Sequence, residues 1–259
     1  MEYIVYGVIV IVSNILGSIS GLGGGTLIKP LLDGFGFHTL VEISFYSTVA
    51  VFVMSITSTF KQITNKAKID WGMAITVSLG SILGGLVGSS LFNLSLSIIG
   101  NDNIVNLIQI VIAVFTLIIS FLYTIYNWKS INLESKIAYF ALGAILGGIA
   151  SYLGIGGGPL NVFLLMWALN LSMKNATLYS IIVIFFSQFA KLFTVALSKE
   201  YLAFDLNLLY VIIPAAIAGG YIGTKISSVV NETTVRNVYR FMIIITLVIN
   251  IYNAINILY

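Results

Sequence analysis

The sequence predicts an all-α polytopic membrane protein of two inverted repeats, each a glycine-broken re-entrant helical hairpin followed by three transmembrane helices. Hydrophobic residues make up 59% of the chain and charged residues only 8%, whereas soluble proteins carry about 25% charged residues. Uncharged stretches such as 71–101 and 137–173 exceed the roughly 20 apolar residues that a spanning helix needs. One glycine phrase occurs twice, at 21–25 and at 154–158, with an offset of 133 residues.

The glycine phrases predict that two apolar helices are broken near their middle. Each glycine costs a helix about 1 kcal/mol relative to alanine, and each phrase places four glycines in five positions. In hydrocarbon, broken backbone is tolerated only where protein buries it or water reaches it. A paired break in two halves of a chain is typical of a transporter binding site.

The repeat continues beyond the glycines and divides the chain near its middle. Residues 44–47 match 177–180 at the same offset, and the block from Asp70 to Ser89 matches the block from Asp205 to Thr224 at an offset of 135. The first repeat is predicted to cover residues 1–128, with a hairpin at 3–36 and helices at 41–62, 71–94 and 103–127. The second is predicted to cover residues 129–259, with a hairpin at 135–170 and helices at 175–197, 206–229 and 235–259.

The positive charges in the loops favour re-entrant hairpins over spanning segments, because lysine and arginine accumulate on the cytoplasmic side. If every segment crosses, the loop lysines and arginines divide 6 against 4 between the two sides. If both broken segments turn back, they divide 9 against 1, with only Lys199 opposite. Each half then crosses the membrane three times, which is an odd number, so the two halves have opposite orientations in the membrane. We therefore expect a protein of the cell membrane with both termini outside the cytoplasm.

At the glycine phrases the chain resembles the TauE/SafE family of sulfite-exporter-like membrane proteins. The family pattern is a repeated Gly-x-Gly-Gly-Gly followed by a proline and leucines, on about eight hydrophobic segments. Here Gly21–Gly25 is followed by Pro30, and Gly154–Gly158 is followed directly by Pro159, with Phe163 at the place equivalent to Pro30. The resemblance covers nearly the whole chain. It implies transport of small sulfur-containing or organic anions.

The helix starts that follow the glycine phrases are the leading candidates for a binding site. A helix N-terminus carries about half a positive charge and unpaired N–H groups, so two such ends at the bilayer midplane would bind an anion. At the equivalent central glycines, Gly24 and Gly157, a side chain is expected to block the required backbone angles. The alternative is that the phrases only permit close helix packing. Packing is the favoured interpretation for six other glycines: Gly84, Gly85, Gly88, Gly219, Gly220 and Gly223.

Polar residues in the apolar segments complete the predicted site. Lys29 is expected either to complement the anion or to pair with Asp33, and Lys191 with Gln188 either to line the pathway or to snorkel. The hydroxyl groups can bind an oxyanion or satisfy carbonyl groups freed by the breaks. The predicted substrate-binding residues are Ser20, Gly21, Gly23, Gly24, Gly25, Thr26, Lys29, Ser47, Ser151, Gly154, Gly156, Gly157, Gly158, Asn161, Ser180, Gln188 and Lys191.

Other polar residues have structural interpretations. Asp70 and Asp205 each precede a helix and are predicted to cap it. His38 and Glu42 are one turn apart and are candidates for a coupling proton, although the end of a hairpin is an ordinary place for them. Tyr46 and Tyr179 are predicted to pack or to lie at the interface.

The leading functional hypothesis is a secondary transporter of small anions, such as sulfite, a sulfonate, sulfoacetate or a carboxylate. A passive anion channel of the same architecture is the alternative, and a membrane enzyme or non-transporting subunit is a third class. The chain has no cysteine and one histidine, which leaves little for catalysis, so no enzyme activity, cofactor or metal is expected. The expected partners are the anion, the lipid bilayer and a coupling proton, and no nucleic acid.

Overall fold

The computed structural model describes residues 2–65, 67, 69–126 and 128–258. These residues form α-helices and two short 3₁₀ turns and contain no strand, which confirms the all-α class. The helices are α1 (Glu2–Ser20), α2 (Gly25–Phe35), α3 (Leu40–Thr64), α4 (Trp71–Ile99), α5 (Asp102–Ile125), α6 (Lys136–Leu153), α7 (Pro159–Leu169), α8 (Met173–Ser198), α9 (Leu209–Val229) and α10 (Glu232–Leu258).

Side-chain caps fix the starts of several helices. Asp70 Oδ1 accepts a 3.1 Å hydrogen bond from the amide of Met73 at the start of α4. Asp205 Oδ1 accepts a 3.0 Å bond from the amide of Asn207 in the 3₁₀ turn before α9. These bonds satisfy amides that the first turn leaves free. The capping predicted for both aspartates is confirmed.

Eight helices of the described residues are long and apolar enough to cross a membrane. They include α1 and α6, so length alone does not distinguish a crossing helix from the first arm of a hairpin. On α4, Ile75, Leu79, Leu83 and Val87 follow one another every four residues and are each more than half exposed. Such an apolar stripe at helical spacing faces lipid in a membrane protein.

The first broken segment folds back on itself, because residues from its two ends are in contact. Glu2 Oε1 lies 3.2 Å from Nδ1 of His38, and the Tyr6 hydroxyl lies 2.8 Å from the same nitrogen. Glu2 opens α1, whereas His38 follows the end of α2. The glycine phrase between the helices therefore forms the tip of a hairpin, which we call the first tip (residues 21–25).

The second broken segment has the same shape. The amides of Ile131 and Leu133, which precede α6, donate hydrogen bonds of 2.9 and 2.7 Å to the carbonyls of Trp167 and Ala168 near the end of α7. Residues 154–158 form its tip, which we call the second tip. In both segments, residues at the two ends are therefore in contact.

The hairpins pack against the opposite half of the chain, α1 along α9 and α6 along α4. A methyl group on Gly84 or Gly88 would overlap the backbone of Ala144 or Gly148 in α6. A methyl group on Gly219 or Gly223 would approach α1 within 3 Å. Gly85 and Gly220 also face neighbouring backbone. Small residues let these helices approach closely, so the packing role predicted for the six glycines is confirmed.

Candidate functional site

The two tips meet in the interior of the protein. The amide of Gly158 donates a 3.0 Å hydrogen bond to the carbonyl of Leu22, and a methyl group on Gly25 would overlap the carbonyl of Ile155. Val51 of α3 and Ile184 of α8, equivalent positions at the offset of 133, pack against the tips. The breaks that the sequence places far apart therefore form one contact.

Most glycines of the tips adopt backbone angles that other residues rarely reach. The φ angle is +74° at Gly23 and at its equivalent Gly156, and +125° at Gly157, in the region open mainly to glycine. Gly24 is different, because its φ of −62° is helical, so the expectation that its backbone angles exclude a side chain is wrong. A methyl group on Gly24 would instead overlap Oδ1 of Asn14.

Hydroxyl groups of α8 satisfy carbonyls that the first break leaves free. The Ser180 hydroxyl donates a 2.6 Å bond to the carbonyl of Gly21, and the Thr177 hydroxyl donates a 3.3 Å bond to the carbonyl of Ser20. The Thr26 hydroxyl bonds to the carbonyl of Leu22 at 3.0 Å. In this conformation these hydroxyls stabilise the break, which matches the structural interpretation.

A buried chamber lies where α2 and α7 begin. Thr26 and Pro159, equivalent residues in the first turns of the two helices, line it together with Lys29. Its volume is about 20 Å³, room for about one water molecule. Its remaining polar lining consists of Asp33 from α2, Asn106, Gln109 and Thr116 from α5, and Thr246 and Asn250 from α10.

Lys29 and Asp33 form an ion pair inside this chamber. Lys29 Nζ lies 2.9 Å from Oδ2 of Asp33, and the two side chains are only 4% and 7% exposed. The pairing predicted from the i, i+4 spacing is therefore confirmed. Removing one partner of a buried ion pair leaves an uncompensated charge and is strongly destabilising. The chamber therefore holds two opposite charges on α2 that stabilise each other.

Several polar atoms of the chamber have no hydrogen-bond partner among the described residues. They are Oδ1 of Asn106, Oε1 of Gln109 and the hydroxyl of Thr246. Buried polar groups are normally paired, and leaving one unpaired costs about 1–3 kcal/mol. Unpaired polar atoms around one cavity are typical of a site that binds a polar ligand or water.

The structure places Lys191 elsewhere. Its Nζ donates bonds of 2.6 Å to the Ser44 hydroxyl and 3.2 Å to the carbonyl of Ser151, and it lies 5.4 Å from the centre of the Phe92 ring. The cavity it enters is about 20 Å³ in volume and also contains Glu200. Lys191 does not line the chamber at Lys29, so the two predicted lysines lie in different cavities.

Three further predicted residues lie buried near the tips without a full set of partners. Asn161 stands behind the second tip, and neither polar atom of its side chain has a hydrogen-bond partner in the part of the chain that the structure describes. Its Nδ2 would lie 2.7 Å from a methyl group on Gly157. The Ser47 hydroxyl and Oε1 of Gln188 are also unpaired. None of these three lines the chamber.

Sequence reasoning missed the contribution of α5 and α10. Gln109, Thr246 and Asn250 face the chamber, and they lie in apolar stretches far from the glycine phrases. A polar side chain inside a membrane helix is itself a signal of a functional position. That signal was present in the sequence, but the repeat pattern does not mark these residues.

The fold and the chamber define a multi-pass α-helical membrane protein whose two helix breaks meet at a buried polar site. The family described as Sulfite exporter TauE/SafE matches residues 6–251, and the chain belongs to this family. The resemblance seen in the glycine phrases is confirmed. Membership makes the chain a membrane transport protein of the sulfite and anion exporter type. No curated protein and no solved structure matches it.

The second tip provides a test of the backbone geometry. Gly157→Ala should reduce transport per folded molecule at least about tenfold, because a methyl group there meets Ile184 and Asn161 and imposes a strain of about 1–3 kcal/mol. Gly100→Ala is the matched control, since Gly100 also has a positive φ of +62° but open space around it. Sulfite flux in proteoliposomes, normalised to folded protein, is the measurement. Equal loss in both variants would contradict a specific role of the tip.

Proposed function

We propose that the protein is a secondary transporter of small anions, which bind in the chamber where α2 and α7 begin. One observation carries the proposal: two equivalent helix starts, at Thr26 and Pro159, converge on a cavity that also holds Lys29. Helix N-termini attract anions through their dipoles. The lysine adds a full positive charge where water is excluded.

The amide and hydroxyl groups of the chamber suit an anion with several oxygen atoms. Asn106, Gln109 and Asn250 each carry an NH₂ group with two N–H donors, and Thr246 carries a hydroxyl group. Gln109 and Asn250 each use one N–H on the carbonyls of Tyr152 and Thr246, which leaves a second N–H for a ligand. Sulfite, sulfonates and carboxylates present two or three oxygens that accept such hydrogen bonds. A volume of about 20 Å³ requires the chamber to widen before such an anion enters. Binding is therefore coupled to a conformational change.

Access to the chamber supports a carrier. Asp33 and Asn106 line both the chamber and a crevice of about 340 Å³ at the end of α2. A second crevice, of about 250 Å³, lies near Asn65 and reaches Thr177 beside the first tip. The tip contacts stand between this second crevice and the chamber. A channel would need a continuous opening, whereas a carrier alternates between two closures.

We further propose that the halves are inverted repeats with re-entrant hairpins. The contacts between the ends of each hairpin support this arrangement, as does the 9-to-1 division of loop charges. A reciprocal pair of contacts also supports it. The Tyr46 hydroxyl donates a 3.2 Å bond to the carbonyl of Asp205, and the hydroxyl of Tyr179 accepts a 2.7 Å bond from the amide of Asp70. These partners are equivalent at offsets of 133 and 135.

Two equivalent cavities differ in size, which favours alternating access. The crevice near Asn65 has a volume of about 250 Å³ and the cavity at Lys191 about 20 Å³. They lie at opposite ends of α3 and α8. Their linings correspond at the repeat offsets in the pairs Gln62 and Val195, Lys174 and Val41, Thr177 and Ser44, Leu178 and Phe45, Thr224 and Ser89, Ser227 and Phe92, and Ser228 and Asn93.

The difference in size has a simple cause in one pair of residues. Lys191 corresponds to Ser58 at the offset of 133. The hydroxyls of Ser58 and Ser18 lie 3.1 Å apart. Ser151 is the equivalent of Ser18, and its backbone carbonyl accepts a 3.2 Å bond from Nζ of Lys191. The longer lysine also reaches Ser44, so it fills its cavity and joins α8 to α3 and α6. We infer that Lys191 closes this cavity, which is separate from the crevice at the end of α2.

The proposed topology can be tested with single cysteines, since the native chain contains none. Tyr3→Cys and Phe37→Cys should react with a membrane-impermeant maleimide from the same side of the cell membrane, because the hairpin returns to its starting face. Asn65→Cys should react from the opposite, cytoplasmic side. All three positions are exposed. Reaction of positions 3 and 37 from opposite sides would mean that the first segment crosses.

The chamber can be tested by removing its charges together. Lys29→Met combined with Asp33→Asn leaves no unpaired charge, so the protein should fold, but sulfite affinity should fall at least about tenfold with the loss of a charged hydrogen bond. Lys136→Met removes an exposed lysine at the start of α6 and should leave affinity unchanged. Calorimetry in detergent measures both. Native affinity in the double variant would exclude the chamber as the anion site.

The closure at Lys191 can be tested at an equivalent pair of positions. Ser228→Cys, in the wide crevice, should react with a soluble thiol reagent faster than Asn93→Cys, in the narrow cavity. Adding Lys191→Met should raise the rate at position 93 at least about threefold, because the bonds to Ser44 and Ser151 are lost. The rate at position 228 should not rise. An unchanged rate at position 93 would assign Lys191 no part in closure.

A further inference from the structure

The ion pair between Lys29 and Asp33 raises a question of charge balance. Both side chains are nearly fully buried, and they are the charged residues in the lining of the chamber. The chamber is therefore electrically neutral before an anion arrives. An entering anion brings a negative charge close to the carboxylate of Asp33, and like charges in a poorly solvated site repel strongly.

Asp33 stands where it can exchange a proton with water. It lines the chamber and also the crevice of about 340 Å³ that opens at the end of α2. Lys29 lines the chamber but not that crevice. The carboxylate therefore lies between the proposed anion site and the crevice, while the ammonium group faces inward.

We propose that Asp33 takes up one proton when the anion binds, so that the anion replaces the carboxylate as the partner of Lys29. The inference rests on the proposed function of the chamber. The proton comes from water in the crevice and forms the O–H bond of a neutral carboxylic acid. The anion then pairs with the ammonium group, and the total charge of the chamber remains zero. Proton and anion would thus move together.

The surroundings of Asp33 fit this role. The charged or titratable groups that face it are Lys29 on its own helix, His38 just beyond α2, Asp102 at the start of α5, and Glu2 and Tyr6 of α1 around His38. The lining groups from α6 and α10 are neutral. Lys29 is the partner that holds the carboxylate ionised, and an anion competes for that partner.

The residues singled out in the sequence for a coupling proton lie outside the chamber. His38 Nδ1 lies against Tyr6 and Glu2. Glu42 forms a capping box with Thr39 at the start of α3, where its carboxylate accepts bonds from the amide and the hydroxyl of Thr39. A proton on either residue does not change the partner of Lys29. A proton on Asp33 does, because Asp33 is the carboxylate that pairs with Lys29.

The experiment counts protons during anion binding. Sulfite binding to the full-length protein is measured by calorimetry in two buffers with different heats of ionisation, which gives the number of protons taken up per anion. The wild type should take up about one proton more than Asp33→Asn, because protonation of sulfite itself cancels in the difference. Uptake of one extra proton also makes the affinity depend more steeply on pH. For each unit by which the pH rises, the sulfite affinity of the wild type should fall by about tenfold more than the affinity of the variant. Glu42→Gln should behave as the wild type.

The outcomes separate this inference from the proposed function. No binding of sulfite to the wild type would contradict the anion site itself. Binding to both proteins with equal proton uptake would leave the site in place and overturn the role of Asp33. If Asp33→Asn does not fold, infrared difference spectra of the wild type decide. Sulfite should produce the carbonyl band of a protonated carboxyl group, and its absence would overturn the inference.

Discussion

The structure depends on how it satisfies the backbone at two broken helices. A break inside an apolar protein leaves carbonyl and amide groups without helical partners, and each unpaired group is costly. Here the second half supplies the partners for the first tip: the amide of Gly158 bonds to Leu22, and hydroxyls of α8 bond to Ser20 and Gly21. Neither tip is a local structure. The contacts between the halves place the two breaks side by side.

The same dependence explains why the halves interlock. The hairpin of each half packs on a glycine-lined helix of the other, α1 on α9 and α6 on α4. Backbones that approach this closely gain van der Waals contact that does not depend on a hydrophobic effect within lipid. In the proposed mechanism, a motion that opens one crevice carries a hairpin together with its partner helix. Rigid units of this kind, hinged at the tips, are what the proposed alternation between two closures requires.

The chamber combines weak and strong sources of positive potential. Two helix starts provide partial charges, and Lys29 provides a full charge that Asp33 balances in the structure. A site with the lysine alone would carry the cost of an unpaired buried charge. A site with helix dipoles alone would attract anions weakly. The balanced pair makes the chamber stable when closed and, in the proposed mechanism, makes anion binding conditional on a proton.

The sequence by itself left pairing with Asp33 and contact with an anion as alternatives for Lys29, and it determined the helical class, the membrane setting, the family, the positions of the breaks, and the caps at Asp70 and Asp205. All of these follow from hydrophobic content, glycine pattern or spacing along one helix. The tertiary structure alone decided that Gln109, Thr246 and Asn250 join the chamber whereas Lys191 lies in another cavity. Which helix faces which is fixed by packing between residues far apart in the sequence, such as Gly84 and Ala144, and no local pattern in one sequence records that choice.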